Sequence, residues 1–378
     1  GARDDNNNND NNNSNYNSNN GDDDVPRWAL VTGASQGIGR AIASALVVER
    51  GIPVVAVARN AKALDGLRSE LEGTGNNSGN NSGMVVPIVC DISDRSDVDR
   101  LLETLATMEV PFVAGRNEND YTYENNGNNY NDNYNYNGNE NDNDNGFKPP
   151  PLPKNQPKLL DHIDILVNNA GAGDCCDFFR ADDESGLERL HELMALNVVG
   201  TTHLTHRLGR KMKQNTNKNA SNSWSNSEDA AGCPRHKRIV IVSSIMGVVP
   251  GNAGCTVYAA TKAYQRSFCA SLARELELEL SLSGQSDSGH HPLSVTCVLP
   301  GAVGVTGFGA SSNMQDAPVF WLPVPGLVLT PEGVASAAID ACLRPLPPRE
   351  VVVGVVYQLV AFWLVDWLPR RTAQVLGE

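Results

Sequence analysis

The stretch ALVTGASQGIGRAIA, residues 29–43, decides how this chain is read. It opens on a short apolar run of the kind a strand buried on both faces requires, and from Ile38 it continues as an amphipathic helix. Gly33, Gly37 and Gly39 lie between the two. Glycines there let the backbone turn sharply and come close to a ligand, and the free N–H groups and positive end of the following helix favour an anion. A dinucleotide pyrophosphate fits that arrangement. The spacing is G-x-x-x-G-x-G rather than G-x-G-x-x-G, and glycine-rich turns also arise for packing alone, so the element needs support from the rest of the chain.

That support comes from repetition. Outward from Trp28, short apolar runs alternate with amphipathic stretches: ALVT then Ile38–Val48, VVAVA then Ala61–Leu71, MVVPIV then Val98–Met108, and IDILV then Leu187–Met212. RIVIVS, Tyr258–Leu282 and LSVTCVL continue the series. The runs are continuously apolar rather than alternating, as parallel strands covered by helices on both faces should be. The pattern predicts an α/β fold with a doubly wound parallel sheet.

Between these elements the composition changes. Segments 1–24, 73–83, 113–146 and 213–235 are dominated by Asn, Asp, Gly and Ser. Such stretches cannot bury enough apolar surface to offset chain entropy, so they are expected to stay disordered as surface insertions. What remains of the 378 residues is one domain, residues 25–370, followed by a tail at 371–378. The formal charge of −14 comes largely from acids in the insertions and tail, which leaves the folded part nearer neutral. No basic stripe or aromatic-interleaved patch invites nucleic acid.

The eight cysteines show neither CxxC nor Cys/His metal spacing. Cys90, Cys269, Cys297 and Cys342 fall within apolar runs as small core residues. Cys175 and Cys176 read as ordinary loop thiols, and a reducing, cytoplasmic setting fits the set. The chain begins at Gly1 rather than at a methionine, which leaves organelle targeting open.

Two further positions carry chemistry. At the end of VVAVARN, where an acid would hold an NAD ribose, stands Arg59. A guanidinium can grip the 2′-phosphate of NADP instead. Further on, YAATK places Tyr258 and Lys262 four residues apart, on one face of a helix. Lowering a tyrosine pKa by about 3 units takes about 4 kcal/mol of phenolate stabilisation, which a neighbouring ammonium and a cationic nicotinamide could supply.

Taken together, the motifs resemble those of the short-chain dehydrogenase/reductase family over residues 28–370, with its Rossmann-type fold. TGASQGIG, Arg59, CDIS, NNAG, LNVVG, IVSS, YAATK and LPGAV stand in family order. The resemblance implies that Gly33, Ser35, Gly37, Ile38, Gly39, Arg59, Asp91, Ile92, Asn169, Ala170, Gly171, Tyr258, Lys262, Pro300, Gly301 and Val303 bind NADP(H). It also implies roles for four side chains. Tyr258 gives a proton to the substrate oxygen, Ser244 polarises that oxygen, and Lys262 lowers the Tyr258 pKa and holds the nicotinamide ribose. Asn197 holds a water that links Lys262 to solvent. The substrate would be a small carbonyl or alcohol compound, and the assembly a homo-oligomer. A silent NADP-binding sensor or scaffold, and an isomerase or dehydratase on the same fold, are the rival readings.

Two departures from the family pattern stand out. Ser244 and Tyr258 are fourteen residues apart, one more than usual, and Thr306 sits one place late in PGAVGVT. GVVPGNAGC, residues 247–255, is expected to absorb the first as a loop. Val303–Leu329, with Phe308, Met314, Phe320, Trp321 and Leu322, reads as an apolar lid. The run EVVVGVVYQLVAFWLVDWLPRR, residues 350–371, contains Asp366 and Gln358 and is divided by Gly354. It predicts a final strand at Val351–Val353. A helix at Val356–Leu368 would then lie on the domain, on a partner subunit or peripherally on a membrane.

Overall fold

The computed structural model describes residues 27–73, 84–111, 157–175, 178–179, 184–219, 236–249, 253–282, 292–304, 306–308, 312 and 324–361. The chain divides into two compact units. One comprises Gly1–Val25 and Asn117–Pro153 and lies outside the described residues. The other, Pro26–Arg116 with Lys154–Glu378, carries everything that follows.

Its centre is a seven-stranded sheet built from β1 (Trp28–Thr32), β2 (Val54–Ala58), β3 (Val85–Val89), β4 (Ile163–Asn168), β5 (Lys237–Val242), β6 (Leu293–Pro300) and β7 (Glu350–Val353). The order is β3-β2-β1-β4-β5-β6-β7 and every pairing is parallel. All residues of β1, β2, β4 and β5 are buried, which explains why their sequences are apolar without alternation. Residues of the outer strands β3 and β7 are mostly half-buried.

The covering helices are α1 (Gly37–Arg50), α2 (Ala61–Gly73), α3 (Arg95–Thr107), α4 (Glu184–Met194), α5 (Thr201–Asn219), α6 (Thr256–Leu282), α7 (Pro331–Leu343) and α8 (Val355–Val360). Local chemistry marks their ends. Gly51, in the left-handed region at φ 61°, closes α1 by donating its N–H to the Leu46 carbonyl. Asp94 caps α3 through the Ser96 N–H at 2.8 Å, and Thr330 caps α7 ahead of Pro331. From β1 the chain crosses over to β2 on one side, and later to β4 on the other. That reversal opens a crevice beyond the carboxyl ends of the strands, as in other Rossmann-type sheets.

Three expectations need adjustment. The insertion expected from 213 starts later, because α5 runs on to Asn219. Asn215 is buried there and donates to the Asp161 carbonyl at 3.2 Å, so polar composition hid a helical turn with a tertiary partner. The final strand begins at Glu350 and is followed by α8 at Val355–Val360, whereas Phe362 to Leu368 lie outside the described residues. The insertions at 74–83, 113–146 and 220–235 lie outside them too. Among the described residues no helix is long and apolar enough to cross a membrane.

The amino ends of β4 and β5 hold charges that their apolar pattern did not announce. Lys237 pairs with Asp164 at the base of the sheet. Arg238 is 2% exposed; its Nε donates to the Cys342 carbonyl at 3.0 Å and its Nη2 to the Arg344 carbonyl at 3.4 Å, which closes the carboxyl end of α7. Arg238→Met is expected to lower the unfolding free energy by about 3 kcal/mol, because buried carbonyls lose a charged donor. Denaturant unfolding measures this, and an unchanged midpoint would show that α7 does not depend on the arginine.

Candidate active site

The crevice is a cleft of about 670 Å³ with the glycine turn at one side. Gly33 and Gly37 have φ of 68° and 56°, which side-chain-bearing residues rarely adopt. Gly39 answers a different constraint, since a Cβ there would lie 2.3 Å from the Gly33 carbonyl oxygen. The Gln36 side chain makes no capping bond to α1, and the first turn of α1 holds no acidic residue. The start of the helix, Gly37 and Ile38, lines the cleft, and the amino end of a helix favours an anion.

The turn after β4 is tied to the turn after β1. Thr32 Oγ1 accepts from the Asn169 and Ala170 N–H groups, each at 3.0 Å, and Asn169 Nδ2 donates to the Thr32 carbonyl at 3.0 Å. At the far end of the cleft Arg59 leaves β2 with its side chain 74% exposed, 3.6 Å from Asp91. A pair this open contributes little to stability, so the guanidinium can turn to another anion. Asp91 accepts from the Ser93 N–H at 3.0 Å and from the Ser93 hydroxyl, which fixes the CDIS turn and its buried Ile92.

Tyr258, Lys262, Ser244 and Asn197 come from three elements and meet below the cleft. All four are buried. The ammonium of Lys262 lies 5.8 Å from the centre of the Tyr258 ring and donates to the Val242 carbonyl at 3.2 Å. Burial pushes the Tyr258 pKa up to about 12, where the resemblance implied a value lowered by Lys262, and a hydrogen bond with Ser244 pulls against that rise. Burial likewise takes the Lys262 pKa down to about 8, against a smaller opposite effect of Cys297. The extra residue between Ser244 and Tyr258 therefore does not part them. A single 3-10 turn at Ile245–Gly247 and the left-handed Gly254 fall in that interval, while 250–252 lie outside the described residues.

Asn197 sits in a π turn, Ala195–Gly200, that joins α4 to α5. Its side chain is engaged by the Ala172 N–H at 2.9 Å, the Ala172 carbonyl at 2.8 Å and Thr261 Oγ1 at 3.0 Å. Its backbone carbonyl accepts from Gln265 Nε2 at 2.9 Å. Sequence reasoning passed over Gln265, although a polar residue three places after Lys262 on the buried face of α6 was the available signal.

The roof of the site is built from distant segments. The Phe308 ring lies 5.7 Å from that of Tyr258, centre to centre, and packs over Gly173. Thr306 is placed beside Gly37, where a Cβ on the glycine would touch its methyl group at 3.3 Å. Val303 bridges to Leu329, so the lid is closed at its base. Met314, Phe320, Trp321 and Leu322 lie outside the described residues. From α8 Tyr357 reaches back: its hydroxyl accepts from the Ala302 N–H at 2.9 Å and donates to the Leu327 carbonyl at 2.6 Å, with its ring against Gly301. Nothing in the residues around it marks this tyrosine as one that lines the cleft.

The reading of Cys175 as a free loop thiol is corrected. Cys175 forms a disulfide with Cys255, joining the loop after β4 to the residue before α6 at the rim of the cleft. The two are 80 residues apart in sequence, and only the topology of the sheet brings them together. Cys90, Cys269, Cys297 and Cys342 are free and buried, as their apolar contexts suggested. Reduction, or Cys175→Ser, is expected to lower stability by about 2 to 4 kcal/mol. Thermal unfolding with and without reductant measures it, and coincident curves would show that the link does not brace the rim.

Comparison with known proteins accords with this geometry. The short chain dehydrogenase family pattern matches residues 27–109 and 154–316. A dehydrogenase/reductase SDR family member 11 of Gallus gallus is 37% identical over 82 residues; the match takes in 22% of this chain, which spans 30% of that relative's length. A 3-oxoacyl-(acyl-carrier-protein) reductase of Haemophilus influenzae is 25% identical over 248 residues, 66% of this chain and 67% of that protein. Among solved structures, a closed serine dehydrogenase complexed with NADP+ superposes with a TM-score of 0.55 at 22% identity, covering 87% of this chain and 95% of the other. A Sphingobium yanoikuyae short-chain dehydrogenase in complex with NADPH gives 0.52 at 23% identity, covering 87% of each chain. Since the family pattern spans more than half of the 378 residues, the chain belongs to the short chain dehydrogenase family.

Proposed function

We propose that the protein is an NADPH-dependent reductase of ketones or aldehydes, with Tyr258 as the acid that protonates the substrate oxygen. One observation carries the reading: Tyr258, Ser244 and Lys262 converge under the roof of a cleft whose other end is an open helix N-terminus. Mere binding requires no such convergence, which disfavours the sensor or scaffold.

The residues present fit NADP(H). The glycine turn is packed so closely on its neighbours that a Cβ at Gly33 or Gly39 would strike Asn169, which keeps the backbone itself at the cleft wall; the N–H groups of α1 would meet the pyrophosphate, and Arg59 the 2′-phosphate. Asp91 and Ile92, which line the cleft, would hold the adenine end, and Gly171, Pro300 and Gly301 the nicotinamide half. When bound, the nicotinamide supplies the hydride. The rest of the chemistry belongs to the chain. Ser244 holds the substrate oxygen by a hydrogen bond where negative charge develops, and Tyr258 passes its proton to that oxygen. A phenol held near pKa 12 is protonated at neutral pH, which is the state reduction needs. Lys262, whose pKa of about 8 leaves it mostly charged at pH 7, stabilises the phenolate left behind.

Phe308 above Tyr258 favours an apolar substrate group next to the carbonyl, in keeping with the names of the relatives that are reductases of 3-oxoacyl groups. Val355 and Leu359 on α8 are exposed, and cover by a second copy of the chain or by a membrane surface belongs to the same proposal. So does the division into one dehydrogenase domain, residues 25–370, with insertions.

Two substitutions test the reading. Tyr258→Phe is expected to reduce kcat by about 10² to 10⁴ while NADPH affinity stays near normal. Retention of more than about a tenth of the wild-type rate would remove Tyr258 from the mechanism. The wild type is expected to prefer NADPH over NADH, and Arg59→Asp to reverse that order by replacing the phosphate clamp with a repulsive charge. Ratios of kcat/KM for the two cofactors decide this; equal ratios in the wild type would leave Arg59 a surface residue.

A further inference from the structure

Gln265 is 1% exposed and stands three residues after Lys262 on α6. Its Oε1 accepts from the Lys262 ammonium at 3.0 Å. Its Nε2 donates to the Asn197 backbone carbonyl at 2.9 Å and to Thr201 Oγ1 at 3.3 Å. Both amide hydrogens are thereby used, and the carboxamide joins the cation of α6 to the π turn between α4 and α5. With the bond to the Val242 carbonyl, two of the three N–H donors of Lys262 are occupied. One is left for the side on which Tyr258 lies. Burying an amide costs free energy that apolar packing would not, so the residue type is explained by its bonds and not by its volume.

We propose that Gln265 is a positioning residue for Lys262, a fixed carboxamide that spans the gap between the ammonium and the Asn197 carbonyl and aims the remaining donor at the reacting end of the cleft. The proposal rests on the Tyr258–Lys262 chemistry above; it is separate from the water that the family resemblance has Asn197 hold between Lys262 and solvent, because Gln265 is buried and joins Lys262 to the Asn197 carbonyl. The titratable groups facing Lys262 are Tyr258 on its own helix and Cys297 of β6. β5 and the π turn offer it only the neutral dipoles of the Val242 carbonyl and of Gln265 anchored on Asn197.

Two variants separate positioning from packing. Gln265→Leu fills nearly the same space but leaves Lys262, the Asn197 carbonyl and Thr201 without their partner. Gln265→Ala opens a small polar hole in which a water can bridge the same groups. The pH at which Lys262 becomes reactive is read on the full chain without any substrate, by competitive labelling with acetic anhydride and mass spectrometry of the Lys262 peptide. Thermal unfolding is recorded alongside. Gln265→Leu is expected to lower that labelling midpoint by about 1 pH unit, and Gln265→Ala to stay within about 0.3 unit of the wild type. A packing role predicts the reverse order, because the alanine leaves the larger void. A leucine midpoint equal to the wild type, or an alanine shift as large as the leucine shift, overturns the proposal. Should the leucine variant fail to fold, Gln265→Glu replaces it. A carboxylate against the ammonium is expected to raise the midpoint, and no rise overturns the proposal. If the labelling contrast holds but ketone reduction never depends on Tyr258, the reaction is wrong and the positioning stands; if reduction depends on Tyr258 but labelling is unchanged, only the positioning fails.

Discussion

The hydroxyl of Thr32, at the end of the first strand, accepts from two successive N–H groups of the turn after β4, and the Asn169 amide returns a bond to the Thr32 carbonyl. These bonds hold together the two turns at which the sheet order reverses. Gly33 and Gly39 are pressed into the same spot, where a Cβ on either would strike Asn169. The glycine turn is thus shaped by the neighbouring strand as well as by its own sequence, and the open amino end of α1 points into the cleft because of that junction. A slip of β1 against β4 would misdirect both at once.

Burial sets the electrostatics one strand further on. Lys262 and Tyr258 are taken out of water together, which disfavours the charge of each: the phenol is held near pKa 12 and the ammonium near 8. The polar groups around the pair are tied into one hydrogen-bonded network. Ser243 donates to the Lys262 carbonyl at 2.8 Å, Thr261 to the Tyr258 carbonyl at 2.8 Å, and Asn197 is engaged through both side-chain atoms. A network satisfied in this way is rigid, and rigidity lets a small change at Gln265 or Ser244 be felt at the phenol.

Much of this was legible in the residues. Continuous apolar runs predicted strands covered on both faces, and β1, β2, β4 and β5 are buried throughout. The order of the motifs predicted that Ser244, Tyr258, Lys262 and Asn197 share one region, and the structure brings them there. What stayed hidden depends on partners distant in sequence. Arg238 opens the run RIVIVS, and that run does not show that the carboxyl end of α7 brings carbonyls to it. Asn215 looked like insertion because composition cannot reveal that Asp161 lies opposite. The Cys175–Cys255 link was invisible for the same reason, since no spacing rule relates cysteines that only the crossover of a sheet makes neighbours.

That division between local and distant information has a physical consequence for the site. The cofactor half of the cleft is built on strand ends and turns whose geometry is set by short-range rules of glycine, parallel pairing and helix termini, and these tolerate little change. The other side of the cleft brings together Phe308, Cys255 of the rim disulfide and Tyr357 from three separate segments. Cys175 is joined to the residue before α6, Phe308 lies against the ring of Tyr258, and Tyr357 bonds the backbone beyond β6. Such a roof can be re-cut residue by residue without disturbing the strands beneath it, because its cost falls on loop contacts and not on the sheet. On the proposed function, recognition of the substrate would reside in the part of the chain whose sequence says least about its own structure, while Tyr258, Lys262 and the amino end of α1 stand where sequence and fold agree most closely.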